Sequence, residues 1–173
     1  WDIGYNDDTA VIFFQELGHQ INIIDCFADR NKPFPFYAEI LKEKEYSYGT
    51  HFAPFDIEVS EWSNGRTRRE VAYEHGIRFR VAPKTIKEDS IHSLKMILPR
   101  CFIDVDKCKP LIDALRHYHR KYSEKDRIFK TKPVHDWSSH FADSAMILAT
   151  GFKEQRTTNM NKQKTAINEY QII

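Results

Sequence analysis

The chain has 173 residues, of which 41% are hydrophobic and 13% aromatic, with only six glycines and seven prolines. This composition excludes a disordered, collagen-like or low-complexity chain, and the length fits one domain whose core is large enough to fold alone. The 26 Lys and Arg residues nearly balance the 25 Asp and Glu residues, for a formal net charge of +1. No apolar run is long enough to span a membrane, and the polar residues 1–8 do not resemble a signal peptide, so we expect a cytosolic protein without a membrane partner.

The charges are distributed unevenly along the chain. Residues 1–61 contain 12 acids and four bases, whereas residues 62–173 contain 13 acids and 22 bases. Two interpretations fit this asymmetry: ordinary solvated charges, or a basic surface beside an acidic pocket. The second would suit a protein that contacts phosphates through Lys and Arg and binds a metal ion through Asp.

The first half of the chain begins with strands. Residues 9–16 and 21–28 are rich in β-branched and aromatic side chains and predict a β-hairpin with Gly18 in the turn. Residues 1–5 predict the end of a preceding strand, so the first three strands would form an antiparallel meander.

The middle of the chain alternates between sequence patterns typical of helices and of strands. A helical period covers residues 36–46, and residues 48–56 predict a buried strand that ends at Asp56. Thr67 predicts the N-cap of a helix over 68–75, Gly76 its end, and residues 77–81 the next strand. Strand, helix and strand in this order indicate a parallel crossover.

The last part of the chain is predicted to be largely helical. Helices are expected over 87–98 and 109–122, followed by a basic connection over 125–132. A final helix is expected over about 137–150, ended by Gly151, with a frayed polar tail beyond it. We therefore expect one domain over 1–151 and a C-terminal tail over 152–173. The three cysteines, an odd number, predict no disulfide framework.

Three carboxylates stand out as candidates for metal binding. Asp143 lies in an apolar stretch, where a carboxylate is costly to bury unless it is paired or bound to a cation. Asp2 precedes Gly4, whose missing side chain would let a ligand approach the backbone, and Asp56 closes a predicted strand. Together they could form the oxygen-ligand cage that Mg²⁺ or Mn²⁺ requires.

The spacing of residues 135–143 adds a histidine to this set. A helix would place Asp136, His140 and Asp143 on one stripe, since they are four and three residues apart. For Asp136 we favour a role as the helix N-cap. His140 is either a group beside the metal ions or a structural hydrogen-bonding imidazole.

Six segments, taken in order, resemble the C-terminal nuclease domain of the large terminase subunits of tailed phages. The most specific is PVHDWSSHFAD at 133–143, and the resemblance extends to about residue 151. One departure is Phe55, where members of the family commonly have histidine between proline and the acid. Another is the segment Asp143-Ser144-Ala145-Met146, where members commonly have Asp-Ala followed later by an arginine or an aromatic residue. The other five segments are WDIGYNDDTA at 1–10, APFD at 53–56, GRTR at 65–68, EHGI at 74–77 and LPRC at 98–101.

The resemblance implies an α/β, ribonuclease H-like fold, with a mixed five-stranded sheet flanked by helices. It also implies a metal-dependent DNA endonuclease that cuts concatemeric double-stranded DNA in the host-cell cytoplasm. Asp2, Asp56 and Asp143 match the metal-binding acids of the family, and His140 matches a position that some members use near the metals. Two Mg²⁺ or Mn²⁺ ions would then bind, with Asp2 between them.

The resemblance also implies partners. We expect a packaging ATPase domain upstream in the same polypeptide, since this chain has no G-x-x-x-x-G-K-[ST] motif and its first strand begins at Trp1, and we expect a small terminase subunit and a portal protein. DNA would lie over the basic second half, through phosphate contacts that carry no sequence information. The candidates for these contacts are Arg66, Arg68, Arg69, Arg78, Arg80, Lys84, Lys125, Arg127, Lys130 and Lys132.

Other classes of protein fit some of these observations. A zinc-stabilised module using Cys101, Cys108, His117 and His119 has a spacing that matches no usual site. A non-catalytic domain on the same fold could dock onto DNA or a protein through exposed aromatic residues. Junction resolvases share the acids of ribonuclease H-like nucleases, but are not expected to share the block at 133–143.

Overall fold

The structure, a computed structural model, describes residues 1–4, 7–60 and 65–152. It begins with a long antiparallel hairpin, β1 (Asp8–Leu17) paired with β2 (Gln20–Arg30). Gly18 in the turn has a φ of 62°, a left-handed conformation that glycine adopts without a steric penalty. The predicted hairpin is therefore confirmed, and both of its strands are longer than predicted.

The remaining elements follow in chain order. They are α1 (Phe34–Glu43), β3 (His51–Ala53), α2 (Arg68–Glu74), β4 (Phe79–Val81), α3 (Lys87–Ile97), β5 (Cys101–Ile103), α4 (Lys109–His117), β6 (Arg120–Ser123), β7 (Ile128–Pro133) and α5, residues 139–152. A 3₁₀ turn, Phe55–Glu58, follows β3.

The strands combine antiparallel and parallel pairing. β5 extends the hairpin as a parallel neighbour of β2, and β3 pairs in parallel with β4. Residues 1–2 connect the β1-β2-β5 strands with the β3-β4 pair. Asp2 and Ala10 exchange backbone hydrogen bonds of 2.8 and 2.9 Å. The backbone nitrogen of Trp1 donates to the carbonyl of Phe52 at 2.9 Å. The expected α/β fold with a mixed sheet flanked by helices is confirmed.

Helices cover both faces of this sheet because side chains alternate along β1. Ala10 and Ile12 face a core formed with α3, α4 and α5, whereas Val11 and Phe13 face a second core with α1 and α2. None of the helices in the described ranges is both long and apolar enough to cross a membrane.

The helix α2 matches its prediction closely because its boundaries are set by local hydrogen bonds. The Thr67 hydroxyl accepts from the backbone of Glu70, whose carboxylate accepts from the backbone of Thr67, which completes a capping box. After the helix, Gly76 has a φ of 82°. The strand that follows begins at Phe79 instead of residue 77 and completes the predicted parallel crossover with β3.

Several predicted boundaries are wrong. The strand predicted over 48–56 shortens to β3, so that Asp56 lies on the 3₁₀ turn after it. The helix predicted over 109–122 ends at His117, and the connection expected over 125–132 becomes part of an antiparallel hairpin, β6 and β7. This hairpin is supported by a contact between Tyr122 and Phe129, whose ring centroids are 5.1 Å apart, and such cross-strand pairs stabilise paired strands.

The end of α5 also differs from the prediction. Residues 151 and 152 are helical, so Gly151 does not end the helix. A β-carbon at Gly151 would lie 2.6 Å from the ring of buried Phe52, so glycine allows the helix to approach β3 closely. Phe152 is buried in the core. The tail from residue 153 onward lies outside the described residues, and the division at 151/152 stays a prediction.

Candidate active site

Asp2, Asp56 and Asp143 line one cavity of about 280 Å³. They reach it from three elements: the segment paired with β1, the 3₁₀ turn after β3, and α5. A larger cavity of about 520 Å³ elsewhere contains none of these acids, so volume alone does not identify the site. The fold thus brings together carboxylates that are far apart in the sequence.

Asp56 carries the clearest sign that a ligand belongs in this cavity. Its Oδ1 atom is buried and has no hydrogen-bond partner among the described residues. A buried acceptor left unpaired costs about 1–3 kcal/mol, and more when it is charged. A divalent cation would satisfy this oxygen, and an all-carboxylate donor set suits Mg²⁺ or Mn²⁺. The residues therefore fit the ions that the resemblance implies.

Asp143 has a partner that the sequence analysis missed. The Lys87 ammonium lies 2.8 Å from its Oδ1 atom, and both side chains are partly exposed. The expectation that Asp143 is either paired or bound to a cation is met by this ion pair. The position of Lys87 in the sequence does indicate a carboxylate partner. Lys87 is the first residue of α3, and a cation at a helix N-terminus interacts unfavourably with the helix dipole unless a nearby carboxylate compensates for its charge.

Asp2 is coupled to His140. The His140 Nδ1 atom lies 3.6 Å from Asp2 Oδ2, and the imidazole is almost fully buried. Burial raises the pKa of Asp2, the nearby His140 imidazole opposes this rise, and nearby Asp143 adds to it. The same contact with Asp2 raises the pKa of His140, and desolvation opposes this rise. Metal binding at Asp2 is therefore favoured as the pH rises, since a ligating carboxylate must first lose its proton.

The ligand atoms of the three acids remain too far apart to share one ion. In the described part of the chain, three ligand atoms of His, Cys, Asp or Glu lie within 4.8 Å of one another only in the group Asp7, His135 and His140. Mg²⁺ holds its oxygen ligands at about 2.0–2.1 Å. The three carboxylates are therefore not placed to contact one and the same ion.

Asp136 is separate from this set. Its Oδ1 atom accepts hydrogen bonds from the backbone nitrogen of Ser138, at 2.9 Å, and from the Ser138 hydroxyl, at 2.6 Å. These bonds lower the pKa of Asp136. Asp136 therefore caps the turn before α5 and is not the N-cap of this helix, because α5 starts at residue 139 instead of 137.

The arginine candidates for DNA contact are partly engaged within the protein. At α2, Arg66 pairs with Glu74, Arg69 pairs with Glu58, and Arg68 donates to the carbonyl of Ile3. Arg80 is half-buried on β4.

The lysine candidates lie at two places. Lys84 lies over the ring of Phe55, 4.6 Å from its centroid, and Phe55 lines the cavity. Lys130 and Lys132 are exposed on β7.

The zinc alternative is not supported. Cys108 is buried, and His117 and His119 each contact a backbone carbonyl through Nδ1. Among the described residues, no group of three close ligand atoms includes a cysteine. The three cysteines are free, as predicted.

Comparisons with known proteins agree with this fold. No protein-family profile matches the chain. The chain is similar to the nuclease domain of the large terminase g2p of bacteriophage SPP1, whose structure was solved with bound Mn. The TM-score is 0.66 and the sequence identity 17%, and the match covers 89% of this chain and 83% of the SPP1 chain. The fold is that of a terminase nuclease domain. The large terminase of a thermophilic bacteriophage gives a TM-score of 0.64 and 15% identity, covering 86% of this chain and 37% of that protein.

Sequence similarity points to the same group of proteins. The chain is 26% identical over 147 residues to the terminase large subunit of Escherichia phage T5, which covers 83% of this chain and 32% of that protein. The chain thus spans about a third of the length of this relative. The resemblance to large terminase subunits stated from the sequence is confirmed.

Proposed function

We propose that the chain is a metal-dependent DNA endonuclease of a viral genome-packaging motor, which cuts concatemeric double-stranded DNA with little sequence specificity. The observation that carries this proposal is the convergence of Asp2, Asp56 and Asp143 on one cavity, with a buried and unsatisfied oxygen on Asp56. The similarity to terminase nuclease domains supports it.

The proposed cofactors are two Mg²⁺ or Mn²⁺ ions held by Asp2, Asp56 and Asp143. Bound ions of this kind lower the pKa of an attacking water and stabilise the leaving oxygen of a phosphodiester. His140 positions the carboxylate of Asp2 through its Nδ1 atom and orients water or a phosphate at the edge of the cavity. Lys87 neutralises Asp143 until a cation takes its place.

We propose that DNA contacts basic residues of the hairpin β6–β7 and of other parts of the surface. The hairpin formed by β6 and β7 contacts the start of α3. The Arg120 guanidinium lies 3.7 Å from the carboxylate of Glu88, which is next to Lys87 in the sequence. Lys130 and Lys132 on the same hairpin are therefore candidates to contact phosphates beside the scissile bond. The full proposed set is Arg66, Arg68, Arg69, Arg80, Lys84, Lys130 and Lys132.

The wider assembly is part of the proposal because the chain spans only about a third of the T5 subunit. We propose an upstream packaging ATPase domain in the same polypeptide, with a small terminase subunit and a portal protein as partners, acting in the host-cell cytoplasm.

The second candidate is a non-catalytic DNA- or protein-docking domain on the same fold. It is favoured by exposed aromatic side chains, of which Phe129 is 64% and Trp137 53% exposed. This candidate predicts no cleavage and no dependence on the three acids.

The decisive experiment is cleavage of supercoiled plasmid with Mg²⁺, Mn²⁺ or EDTA. Each of Asp2→Asn, Asp56→Asn and Asp143→Asn is expected to reduce the rate at least about 100-fold, because a neutral amide is a poor ligand for a hard cation. Asp106→Asn is the matched control, since this exposed acid lies outside the cavity. Cleavage that survives all three substitutions contradicts the proposed mechanism, and a folded chain without metal-dependent cleavage favours the docking domain.

A further inference from the structure

A second group of potential ligands lies next to the three-acid cavity but differs from it in chemistry. Asp7, His135 and His140 each offer one ligand atom, and these atoms lie within 4.8 Å of one another. His135 Nε2 is 3.6 Å from Asp7 Oδ2, and the two imidazole rings have centroids 5.6 Å apart. Asp7 and His135 are exposed, whereas His140 is buried. The group is therefore open to solvent on one side and anchored in the protein on the other.

Local contacts position the segments that carry His135 and Asp7. His135 lies two residues after the end of β7 and precedes the turn capped by Asp136, where the Ser139 hydroxyl donates to the carbonyl of Val134 at 3.2 Å. Asp7 packs against Gly4, where a β-carbon would meet the backbone oxygen of Asp7 at 3.1 Å. The missing side chain of Gly4 thus makes room for Asp7 itself, which differs from the expectation that it would admit a ligand.

Two imidazoles and one carboxylate form a set of metal ligands that is borderline between hard and soft. Imidazole suits Zn²⁺, Cu²⁺, Ni²⁺ and related ions, whereas Mg²⁺ prefers oxygen ligands alone. Histidine ligands of metals usually donate their other ring nitrogen to a carboxylate, which orients the ring. His140 has such a partner, because its Nδ1 atom lies 3.6 Å from Asp2.

We propose that Asp7, His135 and His140 bind one transition-metal ion of the Zn²⁺ class, with water completing its coordination. This site is separate from the cavity of Asp2, Asp56 and Asp143. It is connected to that cavity through the contact of His140 with Asp2, so that an ion bound there holds the imidazole in place beside Asp2.

The test uses Co²⁺ as the probe, since cobalt bound to histidine absorbs visible light. The chain carrying both Asp56→Asn and Asp143→Asn, which weakens binding in the three-acid cavity, is titrated with Co²⁺ and monitored by absorbance and calorimetry. We expect one Co²⁺ per chain, displaced by Zn²⁺ and not by a large excess of Mg²⁺. Adding His135→Ala or Asp7→Asn should weaken Co²⁺ binding at least about tenfold. Even the loss of a residue that only hydrogen-bonds to a metal ligand lowers metal affinity about 10–100-fold.

The matched control is His92→Ala, an exposed histidine on α3 outside the group, which should leave Co²⁺ binding unchanged. The His135 side chain is 70% exposed, so its removal should leave the circular dichroism spectrum unaltered. Co²⁺ binding that is absent, or that persists in both His135→Ala and Asp7→Asn, overturns the proposal. Because the read-out is binding in a chain without two of the three acids, this result is independent of plasmid cleavage.

Discussion

Lys87 places an ammonium group among three carboxylates. Its ion pair with Asp143 is only partly shielded from water, with the lysine side chain 41% and the aspartate side chain 24% exposed. Ion pairs of this kind contribute about 0.2–1 kcal/mol, which is small compared with what a divalent cation gains from several carboxylate oxygens. Lys87 therefore stabilises the metal-free pocket without preventing a metal ion from entering.

Replacing Lys87 tests this competition. In Lys87→Ala, the Mg²⁺ dissociation constant should fall about 1.5- to 5-fold, because the ion no longer displaces an ion pair worth about 0.2–1 kcal/mol. The measurement is a Mg²⁺ titration by calorimetry, with Lys95→Ala, an exposed lysine on the same helix, as the control. Unchanged or weaker Mg²⁺ binding would show that Lys87 does not compete for the acids.

At the scale of elements, α5 joins the candidate site to the core. One side of this helix carries His140 and Asp143, while Ala145, Leu148 and Ala149 pack against β1 and β2. Its last turn lies against β3 because Gly151 leaves space for the ring of Phe52. Since β3 leads directly into the turn that holds Asp56, this close approach sets the distance between Asp143 and Asp56.

Gly151→Ala should lower the free energy of unfolding by up to about 2 kcal/mol. Overpacking a core costs about 1–3 kcal/mol, and the roughly 1 kcal/mol that alanine contributes to a helix interior offsets part of this cost. Urea unfolding with an unchanged m-value would measure this shift. Gly49→Ala is the control, since a β-carbon there meets no atom within 4 Å. Equal stability of the two variants would mean that α5 does not depend on this contact.

At the scale of the whole molecule, a net charge of +1 conceals two oppositely charged regions. The cavity is lined by three acids, whereas the hairpin and its flanks, residues 118–133, contain six bases and two acids. The acids proposed to bind metal and the bases proposed to contact phosphate thus both contribute to a total charge near zero. Near-neutrality does not argue against DNA binding, but it does limit affinity, because phosphate neutralisation supplies most of non-specific binding.

The isolated chain should therefore bind duplex DNA weakly and lose this binding as salt rises. In Lys130→Ala/Lys132→Ala, the slope of log K against log salt should decrease by about 2, since each phosphate contact contributes about 0.9. Fluorescence anisotropy over a NaCl series in EDTA measures the slope without cleavage. Lys32→Ala/Lys42→Ala, in the acidic part of the chain, is the matched control. An unchanged slope for the hairpin variant would place the DNA elsewhere on the surface.

Local signals in the sequence were sufficient for several elements of the fold. The capping box of Thr67 and Glu70 and the turn at Gly18 depend on neighbours within a few residues, and both the N-cap and the turn were predicted in place. The hairpin of β6 and β7 was missed because its stability comes from pairing between strands, as in the Tyr122 and Phe129 contact. Gly151 was misinterpreted for the same reason, since its role depends on Phe52, far away in the sequence.

The sequence by itself determined the chemistry available to this protein: three carboxylates in apolar or strand-end positions, a nearby histidine, and the order of segments that resembles terminase nucleases. Residue type and local spacing carry that information. Only the tertiary structure decided which groups meet. The Lys87 partner of Asp143, the unsatisfied oxygen of Asp56, and the neighbouring group of Asp7, His135 and His140 all depend on side chains from separate elements. Such contacts are set by how strands pair and helices pack, which no local pattern specifies.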